Sequence, residues 1–326
     1  MLRRQVMHAV RLAVAAGVFL LAQPGAAPAQ QAPITVVVAV AAGGSSDIGL
    51  RTIAAKVEEL GGPRIVVEAR PGGGGVTGAV GVRDAAPDGR TLLLASYATH
   101  MVSPALPGGA PYDPIADFQP ITNLFSFPVM LAVPATVEAK TVQELIALAK
   151  RKPGGLSYAS QGVGTAGHLL GELFARSSGA SLLHVPYRGA APAVIDLVAG
   201  RVDMMFVGVL PSQGHLASGA LRALAVTSKT RMPEVPHAPT MVEIGHASVD
   251  SDFVWFGLMA PAKTPDAVVK NLHDLFTRAA NAPDVKAKLA AQGINVGTST
   301  PQELTARIKE DSARFAPIIK ASGAIK

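Results

Sequence analysis

The stretch that most limits what this chain can fold into is Ile34 to Leu60, ITVVVAVAAGGSSDIGLRTIAAKVEEL. Ile34 to Val40 is a β-branched and apolar run bounded by Pro33 and Gly43-Gly44. It is too short to span a membrane and suits a buried strand. Leu50, Ile53, Ala54, Val57 and Leu60 recur at the three-and-four spacing of one helix face. Gly43-Gly44-Ser45-Ser46-Asp47 must therefore turn a strand into a helix. Glycine lets a ligand approach the backbone, and the amides that open a helix carry the positive end of its dipole, so the turn suits a small anion. Taken alone, Ser46 or Asp47 as a plain helix cap explains it as well.

A βαβ rhythm continues beyond it. Arg64 to Ala69 reads as a strand, Val80 to Ala85 as a short helix, Pro87-Asp88-Gly89 as a turn and Thr91 to Ala95 as a buried strand. That is the pattern of a parallel sheet with helical crossovers, whose carboxyl edge binds ligands in open α/β folds. Thr99 and His100 follow the third strand at that edge. Gly73 to Gly78 matches the G-x-G-x-x-G dinucleotide pattern, but four consecutive glycines match it cheaply, Pro71 alters the turn and no ribose-binding acid ends the next strand. A glycine-rich packing turn is the better reading.

Pro104 to Pro120 reads as an irregular connection, and Val129 to Val133 as a strand leading into a second unit. Thr141-Val142-Gln143-Glu144 is a capping box for a helix ending near Lys152. Leu156 to Ser160 is strand-like and runs into Gln161-Gly162-Val163-Gly164-Thr165-Ala166-Gly167-His168, a second glycine turn before a helix, with hydroxyls at Ser160 and Thr165. Strands follow at Leu182 to Pro186, Val202 to Val207 and Leu221 to Thr227, with Tyr187 in a turn and a helix over Pro192 to Ala199. Phe253 to Ala260 reads as a strand going back. Thr264-Pro265 and Thr300-Pro301 each place a threonine cap before a first-turn proline, Glu303 completes a second capping box, and helices over roughly 265–281 and 301–320 close the chain. The expected domains are residues 30–128 with 252–326, one discontinuous α/β lobe, and 129–251, a second. Two crossings join them, and such a junction is a common place for a ligand.

Residues 1–29 belong to a different kind of segment. Arg3, Arg4 and Arg11 precede an apolar run from Leu12 to Ala22, and Ala27-Pro28-Ala29 is a small-residue cleavage site. This is a secretory signal peptide cut near Ala29, and the chain is expected in the periplasm. The formal charge of +6 falls to +3 once those three arginines leave, too mild for a nucleic-acid groove among so few aromatics. With no cysteine anywhere, a lipid-modified N-terminal cysteine, disulfides and thiolate metal sites are excluded.

Catalysis has little to stand on. Ser160 fails the nucleophile-elbow pattern because Tyr158 stands where the first glycine belongs. The histidines at 100, 168, 184, 215, 237, 246 and 273 show no metal-ligand spacing. Neither a catalytic residue, nor a metal, nor a cofactor is expected. Two glycine turns, one per lobe, instead suit capture of a carboxylate from both sides with closure about a hinge. Asp47, His168 and Tyr187 each have a structural alternative: a cap, a polar contact and packing, respectively.

The export leader, PITVVVAVAAGGSSD, VEARPGGGG, APDGRTLLLAS, YDPIADFQPIT, LSYASQGVGTAGH, HVPYRGAAPAVIDLVAGRVDMMF, SGALRALAVTS and WFGLMAPAKTP resemble, in that order, the Bug (Bordetella uptake gene) or TctC-like receptors of tripartite tricarboxylate transporters. The resemblance covers residues 33–323. It implies a type II-like periplasmic-binding-protein fold of two α/β lobes, each a mostly parallel sheet flanked by helices, with hinge crossings. It further implies a receptor that delivers a small carboxylate to a membrane permease: a di- or tricarboxylate, an acidic amino acid or an aromatic acid; the chain is expected to act as a monomer and not as an enzyme. A sensor-linked binding protein without transport and an exported α/β hydrolase are the alternatives. Carried over by motif, the ligand-binding positions are Gly43, Gly44 and Asp47, then Ser160, Gly162, Gly164, Thr165 and His168, with Thr99 and His100 lining the cleft. Val207 stands where the family commonly has an acid. Read as facing the pocket, it implies a less polar end on the ligand.

Overall fold

The computed structural model describes residues 32–39, 45–106, 108–250 and 254–321, so the signal-peptide expectation lies outside the described residues. Pro33–Lys326 is one compact unit built on two sheets. The first holds β1 (Ile34–Val38), β2 (Ile65–Ala69), β3 (Thr91–Ser96), β4 (Phe118–Ser126), β10 (Trp255–Pro261) and β11 (Asn295–Val296) in the order β11-β4-β10-β3-β1-β2. The second holds β5 (Met130–Pro134), β6 (Leu156–Ser160), β7 (Leu182–Pro186), β8 (Met204–Val207) and β9 (Leu221–Val226) in the order β7-β6-β8-β5-β9. Around them pack α1 (Ser45–Glu59), α2 (Val76–Arg83), α3 (Val142–Arg151), α4 (Ala166–Ser178), α5 (Ala190–Val198), α6 (Asp266–Ala280), α7 (Pro283–Ala290) and α8 (Pro301–Ala321).

The period of two along β1 divides the first lobe's core. Val36 and Val38 pack with Leu50, Ile53 and Val57 of α1 and Phe276 of α6. Val37 belongs to the opposite layer with Ala79 and Val82 of α2. Helices thus cover both faces, which is why the strand reads as continuous apolar sequence.

Both sheets are mixed rather than mostly parallel. β1 pairs in parallel with β2 and β3, and β6 with β7 and β8. β10 runs antiparallel to β3 and β4, and β5 antiparallel to β8 and β9. The cause is the path between lobes. The chain leaves the first sheet after Ser126, enters the second at Met130, and returns to the first at Trp255. A strand arriving at the carboxyl edge of its neighbours must run against them. The two crossings lie side by side: Ser126 is paired with Trp255, and Phe127 N donates to Val254 O at 3.2 Å.

The local signals in the sequence are mostly realised. Glu144 N donates to Thr141 Oγ1 at 3.1 Å while Lys140 N donates to Glu144 Oε2 at 2.7 Å. Thr300 and Glu303 likewise exchange bonds. Thr264 does not cap α6. Its hydroxyl donates back to Pro261 O at 2.8 Å, and Pro265 takes the cap position. Around the glycine run, Gly72 to Gly75 all have positive φ, and a Cβ on Gly78 would stand 3.0 Å from Arg70 O and 3.2 Å from Ala39 Cα. These are packing glycines. β7 is an edge strand, and Tyr187 N donates to Ser160 O while Ser181 O accepts from Leu156 N. By alternation Pro186 falls where the missing N–H faces outward, the place a sheet tolerates proline.

Candidate ligand-binding cleft

From the first lobe, α1 opens with Ser46 and Asp47, both buried, and Asp47 Oδ2 accepts from Arg51 Nε at 2.9 Å. Gly43 and Gly44 lie outside the described residues. β3 ends at Ser96 and passes through Tyr97 into a π-helical turn over Ala98–Val102. Thr99 closes that turn, its Oγ1 donating to Ser96 O and accepting from Ser96 N, each at 3.1 Å.

His100 is wholly enclosed, its ring 5.0 Å from Phe118 and 6.4 Å from both Tyr112 and Trp255, with Nδ1 2.9 Å from Thr99 Oγ1. Burial pushes its pKa down to about 3, so the ring is neutral. The expectation that Thr99 and His100 line the cleft is corrected: both side chains turn into the first lobe, one to close a turn and one to fill an aromatic core. Val207 is corrected too. It is completely buried in the second lobe beside Met205 and Val194, because the period of two on β8 turns it to the α5 face.

The second lobe supplies the turn after β6. Gly162 and Gly164 have φ of +136° and +77°, values that favour glycine. Ser160 Oγ lies 3.0 Å from Gly162 O, 3.2 Å from Gly162 N and 2.7 Å from Nε2 of His184. Thr165 Oγ1 donates to Gly162 O at 2.7 Å and makes no cap bond to α4. Gly164 N donates to Nδ1 of His168 at 3.0 Å. Tyr187 is half-buried and donates its hydroxyl to Asp196 at 2.8 Å, which ties it to α5. Ser160, Gly162, Gly164, Thr165 and His168 are therefore brought together as one structured turn.

The lobes meet at this turn. Tyr97 Oη accepts from Ala166 N at 2.9 Å, and a Cβ on Gly164 would come within 2.8 Å of Val102 Cγ1. The carboxyl edge of the first sheet and the helix-opening turn of the second thus face each other. Tyr97 and His184 are absent from the sequence-derived site. Tyr97 is recognisable only across a gap of 69 residues, and His184 only once the β6–β7 register sets it opposite Tyr158.

Beside the crossings, Phe125, Phe127 and Phe256 form an aromatic cluster with ring centres 5.0–5.6 Å apart, and Tyr97 meets Phe256 edge-on at 6.5 Å. Phe127 and Phe256 are half-buried.

The Ser160–His184 contact has the reach of a nucleophile–base pair, but its surroundings oppose that use. Ser160 is fully buried and bonded on both sides to Gly162. Burial, aided by the neighbouring His168, pushes His184 down to about 4, and among the described residues no carboxylate orients it. Nor does any group of three or more potential metal ligands occur among the described residues, and no described helix is long and apolar enough to cross a membrane.

Two mixed sheets flanked by helices, meeting at opposed carboxyl-edge turns, define a two-lobed solute-binding fold. Solved structures of that class align closely. A Rhodopseudomonas palustris protein with adipate shares 30% identity at a TM-score of 0.79, covering 90% of this chain and 98% of that one. MatC from the same organism, with bound malate, shares 31% at 0.76, covering 89% and 99%. BugT of Bordetella pertussis is 32% identical over 98% of this chain and 99% of its own length. The sequence model described as the tripartite tricarboxylate transporter family receptor, TctC, matches residues 50–324, and this chain belongs to that family.

Proposed function

We propose that the chain is a periplasmic receptor that captures a small carboxylate between its lobes and delivers it to the permease of a tripartite tricarboxylate transporter. The observation that carries this reading is the 2.9 Å bond from Ala166 N to Tyr97 Oη. It brings an anion-suited helix start in one lobe against the carboxyl edge of the other. We assign residues 30–128 with 252–326 to one lobe and 129–251 to the second, in line with sheet membership. Gly43, Gly44 and Asp47 would approach the ligand from the first lobe. The turn from Ser160 to His168 would approach from the second, offering the first-turn amides of Gly167 and His168, which Thr165 leaves uncapped, while that of Ala166 is held by Tyr97. The adipate and malate in the related structures support a dicarboxylate within the wider set of di- or tricarboxylates, acidic amino acids and aromatic acids. The half-buried Phe127 and Phe256 give its less polar end a surface that Val207 does not. The receptor acts as a monomer, exported with its leader cut near Ala29.

A thermal-shift screen of carboxylates tests the reading. At about 100 times its dissociation constant, a ligand stabilises the fold by about 2.7 kcal/mol. A screen in which no carboxylate shifts the transition, while a cationic or neutral solute does, refutes it. Loss of uptake of the best ligand in a strain lacking this gene separates transport from sensing.

A further inference from the structure

Between the second-lobe turn and its sheet lies a histidine pair that capture of a carboxylate does not by itself require. The rings of His168 and His184 stack with centres 4.1 Å apart and planes 14° from parallel, and Tyr158 stacks on the other face of His184 at 4.9 Å. Each ring holds one part of the turn. His168 Nδ1 accepts the Gly164 amide at 3.0 Å, and His184 Nε2 meets Ser160 Oγ at 2.7 Å, the hydroxyl that also bonds both backbone groups of Gly162. We propose that His168 and His184 are positioning residues that hold the Gly162–Gly164 turn in its ligand-binding shape only while both rings are uncharged, so that acid loosens the receptor's grip on its carboxylate. The inference rests on the carboxylate-receptor reading for its effect on affinity, and on geometry alone for its effect on the turn.

The chemistry is one of acceptor count. A neutral imidazole has one donor and one acceptor nitrogen, and the cation has two donors. Because His168 Nδ1 receives an N–H, protonating it sets two N–H groups against each other and frees the Gly164 amide. His184 cannot take the charge in its place without laying a cation against the same stack, so the two titrate as a coupled pair.

The groups facing the stack are few. From β6 comes Tyr158, whose hydroxyl donates to Glu172 of α4 at 2.8 Å. From the first lobe comes Tyr97, neutral and held up to about 12 by burial. β8 contributes only Met204–Val207, and Arg188, beyond β7, is exposed. Glu172 favours a charged His168, but burial outweighs it and lowers that ring's pKa. Burial, and then His168, bring His184 down to about 4. Both rings are therefore neutral at pH 7 and take up charge as the pH falls below the ordinary histidine range, about 6.5.

The test uses the full mature chain and two variants that keep a polar atom in place without titrating. In His168→Asn the side-chain oxygen replaces Nδ1 as acceptor, and in His184→Gln the amide replaces Nε2. In the ligand-free protein, the Gly164 amide resonance is followed by NMR from about pH 7.5 to about pH 3.5, a range that spans the ordinary histidine value and the value of about 4 to which His184 is lowered. Its chemical shift should move, and its protection relative to intrinsic exchange should fall, in the wild type, and both should stay still in His168→Asn. Calorimetry with adipate and malate should show wild-type affinity falling about tenfold more than that of His168→Asn over this range, the equivalent of one hydrogen bond, while His184→Gln, which keeps the titrating His168, falls with the wild type. Titration of the ligand itself cancels in that comparison. A Gly164 amide that does not respond, or parallel losses of affinity in the wild type and His168→Asn, overturns the inference. Failure of both acids to bind at pH 7.5 counts against the carboxylate reading and leaves the amide titration to decide this one.

Discussion

Replacing Tyr97 by phenylalanine removes a single atom that touches both lobes, and its effect can be worked out in advance. Tyr97 is buried, and its oxygen accepts the Ala166 N–H at 2.9 Å, from the first residue of α4. The ring stays, with its edge-on contact to Phe256, so the first-lobe core is not the target. With the lobes apart, water satisfies the Ala166 amide in wild type and variant alike. With the lobes together, the variant leaves that amide facing a phenyl edge. A net hydrogen bond is worth about 1 kcal/mol, and an unsatisfied buried donor costs about 1–3 kcal/mol. Taking about 1–2 kcal/mol against the closed form, the closed-to-open ratio falls about 5- to 30-fold. A ligand that binds the closed form loses affinity by the same factor when the open form dominates the free protein. Calorimetric titration of the best carboxylate measures this directly. Dissociation constants within about twofold of wild type, less than half a typical hydrogen bond, would show that this contact does not bear on closure.

Three further substitutions probe separate features. Gly164→Ala places a Cβ 2.8 Å from Val102 Cγ1 at φ +77°, and the left-handed cost alone is about 1–2 kcal/mol; binding should weaken in calorimetry and the free lobes should stay further apart in scattering. Phe127→Ala removes a ring packed at 5.0 Å on Phe256 and should lower affinity for an aromatic carboxylate more than for malate; equal losses refute an apolar subsite there. His100→Leu should relieve acid lability, because a ring held near 3 by burial contributes stability that is complete above about pH 6.5 and is lost as the pH falls toward about 3. The full effect is at most about 5 kcal/mol. Chemical denaturation at neutral and acidic pH should show the wild type losing more stability than the variant, with ligand affinity at pH 7 little changed.

What the sequence revealed followed the range of the forces involved. Strand, glycine turn and helix at Leu156 to Ser178, and the boxes at Thr141 and Thr300, depend on neighbours a few residues apart, and they read correctly. β4, from Phe118 to Ser126, was hidden because Pro120 and two buried polar residues, Thr122 and Asn123, spoil its apolar pattern. Their partners are Ser299 and Gly297, far along the chain. Thr99 and His100 follow a strand at the edge where ligands bind, which local pattern equates with a cleft position, but a π-helical turn rotates them inward. Tyr97 and the stacked histidines depend on contacts between lobes or on strand register, which no local pattern encodes.

The paired crossings have a mechanical consequence. Ser126 beside Trp255, with Phe127 N bonded to Val254 O, makes the neck of the molecule a two-ply ribbon instead of two independent strings. Such a ribbon flexes easily across its thin direction and resists shear along its length. If the receptor opens and closes as proposed, this ribbon confines the motion to one arc, whose return would bring Tyr97 back to the same amide.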